Sequence, residues 1–347
     1  MKKVFVNGYG SIGSRIIQFI KDDPEIEVLG VGKYSPDSKV SEAISNGFNV
    51  FVPKSKQGDF DNYKITGTIE SALDNSDLVI DASPGGVGYK NKTELYVPKN
   101  LMAIYQGGES ITGNTAVSDL LFNSRVNYSD AFEKNHVMQG SCNVTGMGRI
   151  LEPLRQKYGQ AIKRFDVTLV RRWADIDQTD KKIIDTIEMT EHPHHGDDVK
   201  SYLGKDSPLF VRAIKVPTRQ MHLHIMDIRF VNNVPSIDDL HNLFKDEYGV
   251  AVLWTAKGTK DVRDFADNMK FSFKDTNMIH IHANLTSKID DTIQIMYSDD
   301  QTGIVIPENH MLMQAMLFKK SYEESSIHTE SLFKMKEKKS MLEKHFS

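Results

Sequence analysis

Cysteine is almost missing: Cys142 is the only one in 347 residues. A single thiol closes no internal disulfide, which excludes a disulfide-stapled secreted scaffold and leaves stability to an ordinary apolar core. Long apolar runs are missing too, since charged residues interrupt the chain throughout and no stretch reaches the ~18 apolar residues of a membrane span. Positive charge is not in excess either. Lys and Arg number 43 against 47 Asp and Glu, a formal net charge of −4, which argues against a nucleic-acid surface as the main role. The chain begins MKKVFVNGYG and enters a strand-like run without the longer apolar core and cleavage site of a secretory signal, so a cytoplasmic location is expected. Internal repeats and low-complexity segments are also absent.

What is present falls into two textures. The first third alternates short, wholly apolar runs (KVFVNG, IEVLGVG, LVIDASP, MAIYQGG) with helical patterns such as IGSRIIQFIKD. That alternation predicts a doubly wound parallel sheet covered on both faces, a Rossmann-type α/β domain over residues 1–140. From there, RFDVTLVRRW, FVRAIKVPTRQMHLHIMDIRFV, MIHIHANL and TIQIMYS show the period-two alternation of strands with one polar face. They predict an α+β catalytic domain over 141–305 with a largely antiparallel sheet. Residues 306–347 return to helical periodicity with a basic second half, and are expected to form helices that pack back on the first domain.

Within the first domain, Gly8-Tyr9-Gly10-Ser11-Ile12-Gly13 follows a strand and opens a helix with G-x-G-x-x-G spacing. Gly8 permits the tight turn, Gly10 lets backbone approach a pyrophosphate, and Gly13 lets the helix pack on the strand, while free N–H groups at the helix start attract the anion. The second strand ends not in the acid that selects NAD but in Gly32-Lys33-Tyr34-Ser35. A cation and two hydroxyls suit the 2′-phosphate of NADP, and Asp37 nearby keeps NAD open, so use of both with NADP preferred is expected.

Within the second domain, Cys142 follows a strand-like step and precedes a helical pattern, flanked by Ser141 and Asn143. A lone cysteine is often a buried apolar residue. At a helix start, though, the positive end of the helix dipole favours thiolate, as a nucleophile requires. A cysteine acting on an aldehyde needs a base, and His222 and His224 alternate on a strand so that both project to one face. His194, His195, Arg171 and Arg172 add polar and cationic groups suited to holding a phosphate, unless they are simply solvated.

Taken in order, VNGYGSIGSR, GKYSPD, DASPGGVGYKN, YQGGE, SCNVTGMGRIL, VRRWAD, HPHHGDDVK, VPTRQMHLH and VIPEN resemble archaeal (type II) glyceraldehyde-3-phosphate dehydrogenase from residue 1 to about 315. The resemblance implies oxidation of glyceraldehyde 3-phosphate with NAD or NADP and inorganic phosphate to 1,3-bisphosphoglycerate, in a homotetramer. It implies Cys142 as nucleophile and His222 as base, with Ser141, Asn143, His194 and His195 beside the substrate. It also implies cofactor contacts from the backbone around Ser11 and Ile12 and from Gly108, Arg172 and Gln301. The chain departs from that pattern at Val144, Trp173, Ile183 to Thr186 and Asp197, near the phosphate and catalytic strands, and its charged tail after Glu323 is longer.

Other readings are a dehydrogenase of a different phosphorylated aldehyde, or one that needs no phosphate. Another is a zinc protein built on His192, His194, His195, His222, His224, His280 and His282. A retired enzyme that keeps NADP as a sensor ligand or binds RNA is disfavoured by the retained cysteine, the histidine pair and the acidic balance.

Overall fold

The computed structural model describes residues 1–174, 183–219 and 221–347. Asp175 of VRRWAD, the Lys181-Lys182 pair and Gln220 lie outside the described residues. Contacts divide the chain into two units, residues 1–141 with 308–332 and residues 142–307 with 333–347.

The first unit is built on strands β1 (Lys2–Asn7), β2 (Ile26–Gly32), β3 (Val50–Val52), β4 (Gly67–Thr68), β5 (Leu78–Asp81), β6 (Met102–Tyr105), β7 (Leu121–Phe122) and β8 (His136–Gln139). All pairings are parallel, in the order β4-β3-β2-β1-β5-β6-β8-β7. Val4, Phe5, Val6, Leu78, Val79 and Ile80 are buried, as a parallel sheet covered on both faces demands. The chain order reverses between β1 and β5, the place where the carboxyl ends of such a sheet open a crevice. There Asp81 accepts from Asn91 Nδ2 (2.8 Å), Tyr96 Oη (2.7 Å) and the Ser83 backbone N–H (3.0 Å), which pins the Ser83–Gly88 turn.

The second unit carries β9 (Ile162–Arg172), β10 (Glu188–Thr190), β11 (Leu209–Val216), β12 (His222–Phe230), β13 (Val250–Leu253), β14 (Ile279–His282), β15 (Ser287–Ile289) and β16 (Thr292–Asp299). The sheet order is β10-β11-β9-β12-β16-β14-β13, with β15 on β16. It is mixed rather than uniformly antiparallel. β9 with β11 and β13 with β14 run parallel, because each pair is joined through a helix, His195–Leu203 and Thr259–Asn268 respectively. The alternation expected of β12 is plain: His222, His224, Met226, Ile228 and Phe230 are buried on one face.

The tail divides. Expected as a whole on the first domain, it contributes 308–332 to the first unit and 333–347 to the second. The helix Val305–Phe318 is apolar almost all round, and its polar residues are each bonded in the first unit. Glu308 accepts from Ser124 N–H (2.9 Å) and Oγ (2.7 Å), Asn309 and Gln106 exchange bonds (2.7 and 3.0 Å), and His310 meets Asp23 (2.8 Å) and Thr329 (2.7 Å). The last helix, Met335–His345, instead lays Leu342 into a core with Ala251, Leu253, Val262 and Phe265, joined there by Phe346 just past its end. Glu343 accepts the Val252 N–H (3.0 Å), and the Phe346 carbonyl accepts those of Trp254 (2.7 Å) and Thr255 (3.1 Å). The charged tail thus covers an edge strand that would otherwise expose open donors. Leu342→Ala should destabilise the protein by about 2–5 kcal/mol in urea titration, since Leu342 is fully buried; an unchanged midpoint would mean that the tail is not part of this core.

Candidate active site

The chain from β8 runs through Gly140 and Ser141 directly into the helix Cys142–Tyr158, so Cys142 is the first helical residue. Its side chain is half-buried, while Asn143, Val144 and Thr145 behind it are buried. The sulfur, one ring nitrogen of His222 and one carboxylate oxygen of Asp299 lie within 4.8 Å of one another. They are brought together by sheet register: His222 opens β12 and pairs across it with Asp299, the last residue of β16.

The two histidines of β12 have different partners. His222 Nδ1 accepts the backbone N–H of Arg172 at 3.4 Å, which leaves the ring proton of the neutral imidazole on Nε2. His224 Nε2 lies 2.9 Å from Asn143 Oδ1 and 3.5 Å from Asp299 Oδ2, so it carries the proton and donates to Asn143. Asn143 in turn points Nδ2 at the Cys142 sulfur, 3.9 Å away. His224 therefore fixes which end of the Asn143 amide faces the thiol.

Burial is the main force on these rings. It holds His222 well below the ordinary histidine value, helped by the positive charges of Arg172 and Arg171, and it holds His224 at about 3. His195 is lowered to about 2 by burial and then by Arg171. All three are neutral near pH 7. Arg171 is lowered by its own burial, with Cys142 acting in the opposite direction, and its Nε is buried without a partner among the described residues. The charge of Arg172 bears on both His222 and Asp299.

The structure separates His194 from His195. His195 is buried with Nδ1 unpartnered among the described residues, whereas His194 is exposed, bound to Asp198 (2.6 Å) and stacked on the His195 ring at 4.2 Å. The seven histidines considered for zinc do not converge. His280 and His282 share the Ser298 hydroxyl at 3.4 and 3.1 Å, and among the described residues only His222 of the seven falls in a group of three metal-competent side chains. Of the departures from the family pattern, Ile184 to Thr186 and Asp197 are exposed, Trp173 is half-buried, and buried Val144 keeps its carbonyl on the Tyr202 hydroxyl at 2.7 Å. Gln301, with a positive φ of 34° and a buried Nε2, donates its backbone N–H to Asp299 Oδ1 at 3.2 Å.

Asp299 and the link from His224 to Asn143 escape a reading of the sequence. One signal was available: Ile293, Ile295, Tyr297 and Asp299 share one buried face of β16, and an acid ending an apolar stripe is out of place there.

In the first unit the three glycines of the turn meet three different surroundings. A Cβ on Gly8, whose φ is +134°, would lie 2.4 Å from the Ala82 carbonyl oxygen, and one on Gly13 would lie 2.1 Å from that of Gly8. A Cβ on Gly10 would meet nothing within 4 Å. Gly10 caps the helix Ser11–Ile20 without a side-chain bond, at the helix N-terminus where an anion is favoured. Gly108, φ +113°, lies beside Gly85, and the neighbouring Glu109 accepts the N–H groups of Gly86 (2.7 Å) and Gly88 (3.0 Å). Lys33 is buried and clasped by both oxygens of Asp37, at 2.8 and 2.9 Å. The Tyr34 hydroxyl turns inward to Asn7 Oδ1 (3.0 Å) and is pushed up to about 12 by burial. A 2′-phosphate would therefore meet a lysine already paired and no free tyrosine hydroxyl.

No family model matches the chain. Similarity to individual proteins is extensive all the same. The glyceraldehyde-3-phosphate dehydrogenase of Methanothermus fervidus is 33% identical over 327 residues, 91% of this chain and 94% of that protein. Those of Thermoplasma volcanium (33% over 323 residues, 91% and 93%) and Sulfolobus acidocaldarius (33% over 332 residues, 93% and 94%) are as similar. The chain belongs to the glyceraldehyde-3-phosphate dehydrogenase family. Membership in the glyceraldehyde-3-phosphate dehydrogenase family makes it an oxidoreductase, and in that setting the parallel sheet with its glycine turn is the fold of a nicotinamide dinucleotide domain.

Two measurements bear on this site. Gly10→Ala should leave the urea midpoint unchanged and weaken dinucleotide binding by about tenfold or more, whereas Gly13→Ala should destabilise by about 1–3 kcal/mol through its backbone clash; equal effects of the two would remove the distinction.

The pH dependence of stability is the second. His195, His222, His224, His280 and His282 are all held below 6.5 in the folded protein by burial, His195 at about 2, His224 and His280 at about 3 and His282 at about 4. The unfolded chain takes up protons that the folded one refuses, so their stabilisation is complete above 6.5 and is lost as pH falls, by up to ~1.4 kcal/mol per pH unit for each ring. Asp299 and Asp300, raised to about 8 and about 6 by burial, act in the opposite sense between about 4 and those values, but the histidines outnumber them. The thermal midpoint should fall steeply from pH ~6.5 to ~4; a flat profile would show these rings to be charged in the folded state.

Proposed function

We propose that the protein catalyses the phosphorylating oxidation of D-glyceraldehyde 3-phosphate to 1,3-bisphosphoglycerate, and its reverse, in glycolysis and gluconeogenesis. It uses NADP or NAD and a thioester on Cys142, and works as a cytoplasmic homotetramer. The observation that carries the reading is the sulfur of Cys142 at a helix start with a ring nitrogen of His222 within 4.8 Å.

The chemistry follows from what these groups can do. The helix N-terminus and the Arg171 cation favour thiolate, which adds to the aldehyde carbon to give a hemithioacetal. Asn143, held by His224, directs an amide donor to the same place, suited to the oxygen that becomes negative on addition. The dinucleotide, when bound by the glycine turn of the first unit, supplies the acceptor for the hydride that leaves that carbon. His222 manages the hydroxyl proton as the thioester forms on sulfur, a contribution of about 10²- to 10⁴-fold.

In the resting protein His222 is a weak base, because it is buried beside two arginines. A phosphate-bearing substrate brings the anion that offsets those charges, so the base strengthens when substrate is in place. Arg171 and His195, each with a buried nitrogen that has no partner among the described residues, are the groups proposed to hold that phosphate, and exposed His194 stacks on His195. Inorganic phosphate then attacks the thioester and releases the acyl phosphate, a step open to a thioester because sulfur leaves more readily than a serine oxygen. The proposed coenzyme contacts also include Lys33 and Tyr34 of the first unit and, separately, Arg172 and Gln301 of the second, with the pairing of Lys33 to Asp37 weakening the case for NADP over NAD.

Absorbance of the reduced coenzyme, followed with glyceraldehyde 3-phosphate, each coenzyme in turn, and with or without phosphate, tests the assignment. Cys142→Ser should abolish turnover while coenzyme affinity stays within about twofold. Substantial remaining activity would rule out the thioester route, and full activity without phosphate would replace the acyl phosphate product by the free acid.

A further inference from the structure

Asp299 is not among the residues that the family resemblance points to, yet it is one of the three groups gathered at the thiol. It has no solvent exposure. Its Oδ1 accepts the Gln301 N–H at 3.2 Å and the His222 backbone N–H acts weakly in the same direction, but its Oδ2 is buried with no partner at hydrogen-bond distance among the described residues. The nearest ring proton, on His224 Nε2 at 3.5 Å, is already given to Asn143 Oδ1 at 2.9 Å. A Cβ on Gly146 would come within 3.2 Å of Oδ2, so the helix that begins at Cys142 packs its backbone against this oxygen.

A carboxylate left with one bare oxygen in such a place is strongly disfavoured, whereas a carboxylic acid turns that oxygen into a donor. The charged and titratable groups that bear on it are Cys142 from the helix, His222 and His224 from β12, Arg172 from β9, and Tyr297 and Asp300 from its own strand end. Arg172 bears on Asp299 and Arg171 on Cys142, but two anions within 4.8 Å of one another in so buried a place repel, which disfavours ionising both. Burial accordingly raises Asp299 to about 8.

We propose that Asp299 is the proton-holding partner of the nucleophile: its carboxyl stays protonated while Cys142 is thiolate, so the buried site carries one negative charge and that charge sits on sulfur. The proposal rests on the reading of Cys142 as nucleophile and adds a positioning residue to it. No atom is gained or lost; the proton remains on the carboxyl oxygen while the thiol proton goes to solvent. Above the point where Asp299 ionises, the thiolate loses its acid neighbour, faces a second anion, and becomes more basic and more nucleophilic.

The test is the pH dependence of Cys142 alkylation by iodoacetamide in the full-length protein, without coenzyme or substrate. The wild type should show two steps, the second about one to two pH units above the first, with the rate rising a further three- to tenfold across it. Asp299→Asn, which keeps shape and a donor but cannot ionise, should show one step. A single step in the wild type overturns the inference even where the variant fails to fold, and so does a variant profile that superimposes on the wild type. Normal alkylation with no dehydrogenase turnover would sink the functional reading and leave this one standing; a thiol unreactive at every pH would sink both.

Discussion

One sulfur atom, placed where a buried helix begins against the ends of two paired strands, sets the terms for the second unit. As the proposed nucleophile, its thiolate would have to be balanced without being neutralised. The balance comes from backbone N–H groups at the helix start, from Arg171 and Arg172 at the end of β9, and from imidazoles kept uncharged by burial. The proposed protonation of Asp299 would leave the negative charge of this site on the sulfur alone.

The same burial has an energetic consequence. Rings that are neutral and hydrogen-bonded rather than charged let His224 orient Asn143, and let His280 and His282 share one serine hydroxyl, inside a closely packed sheet. The loss of stability expected on acidification would therefore come from the same rings that line the candidate site. The tail helix supports the same unit from another side. Leu342 and Phe346 complete its core, and Lys338 reaches the Asp275 carbonyl at 3.2 Å, next to the Arg263, Asp275 and Asp300 cluster that fixes the chain just after Asp299.

In the first unit the constraint is steric rather than electrostatic. Gly8 and Gly13 are demanded by backbone contacts that no side chain could share, while a Cβ on Gly10 would meet no atom within 4 Å among the described residues. The polar network from Asp81 through Tyr96 and Asn7 to Tyr34 stiffens the strand ends beneath it.

Local patterns in the sequence were enough to settle the class of each unit, the glycine turn, the thiol at a helix start and the shared face of His222 and His224, because strand and helix periods are properties of neighbouring residues. They could not settle which faces meet. That Asp299 reaches Cys142 across well over a hundred residues, that His194 turns out while His195 turns in, that Tyr34 points at Asn7, and that the tail splits between two cores depend on register and packing between distant segments. Only the folded chain decides these, since the energy that selects them belongs to contacts that do not exist until the segments are brought together.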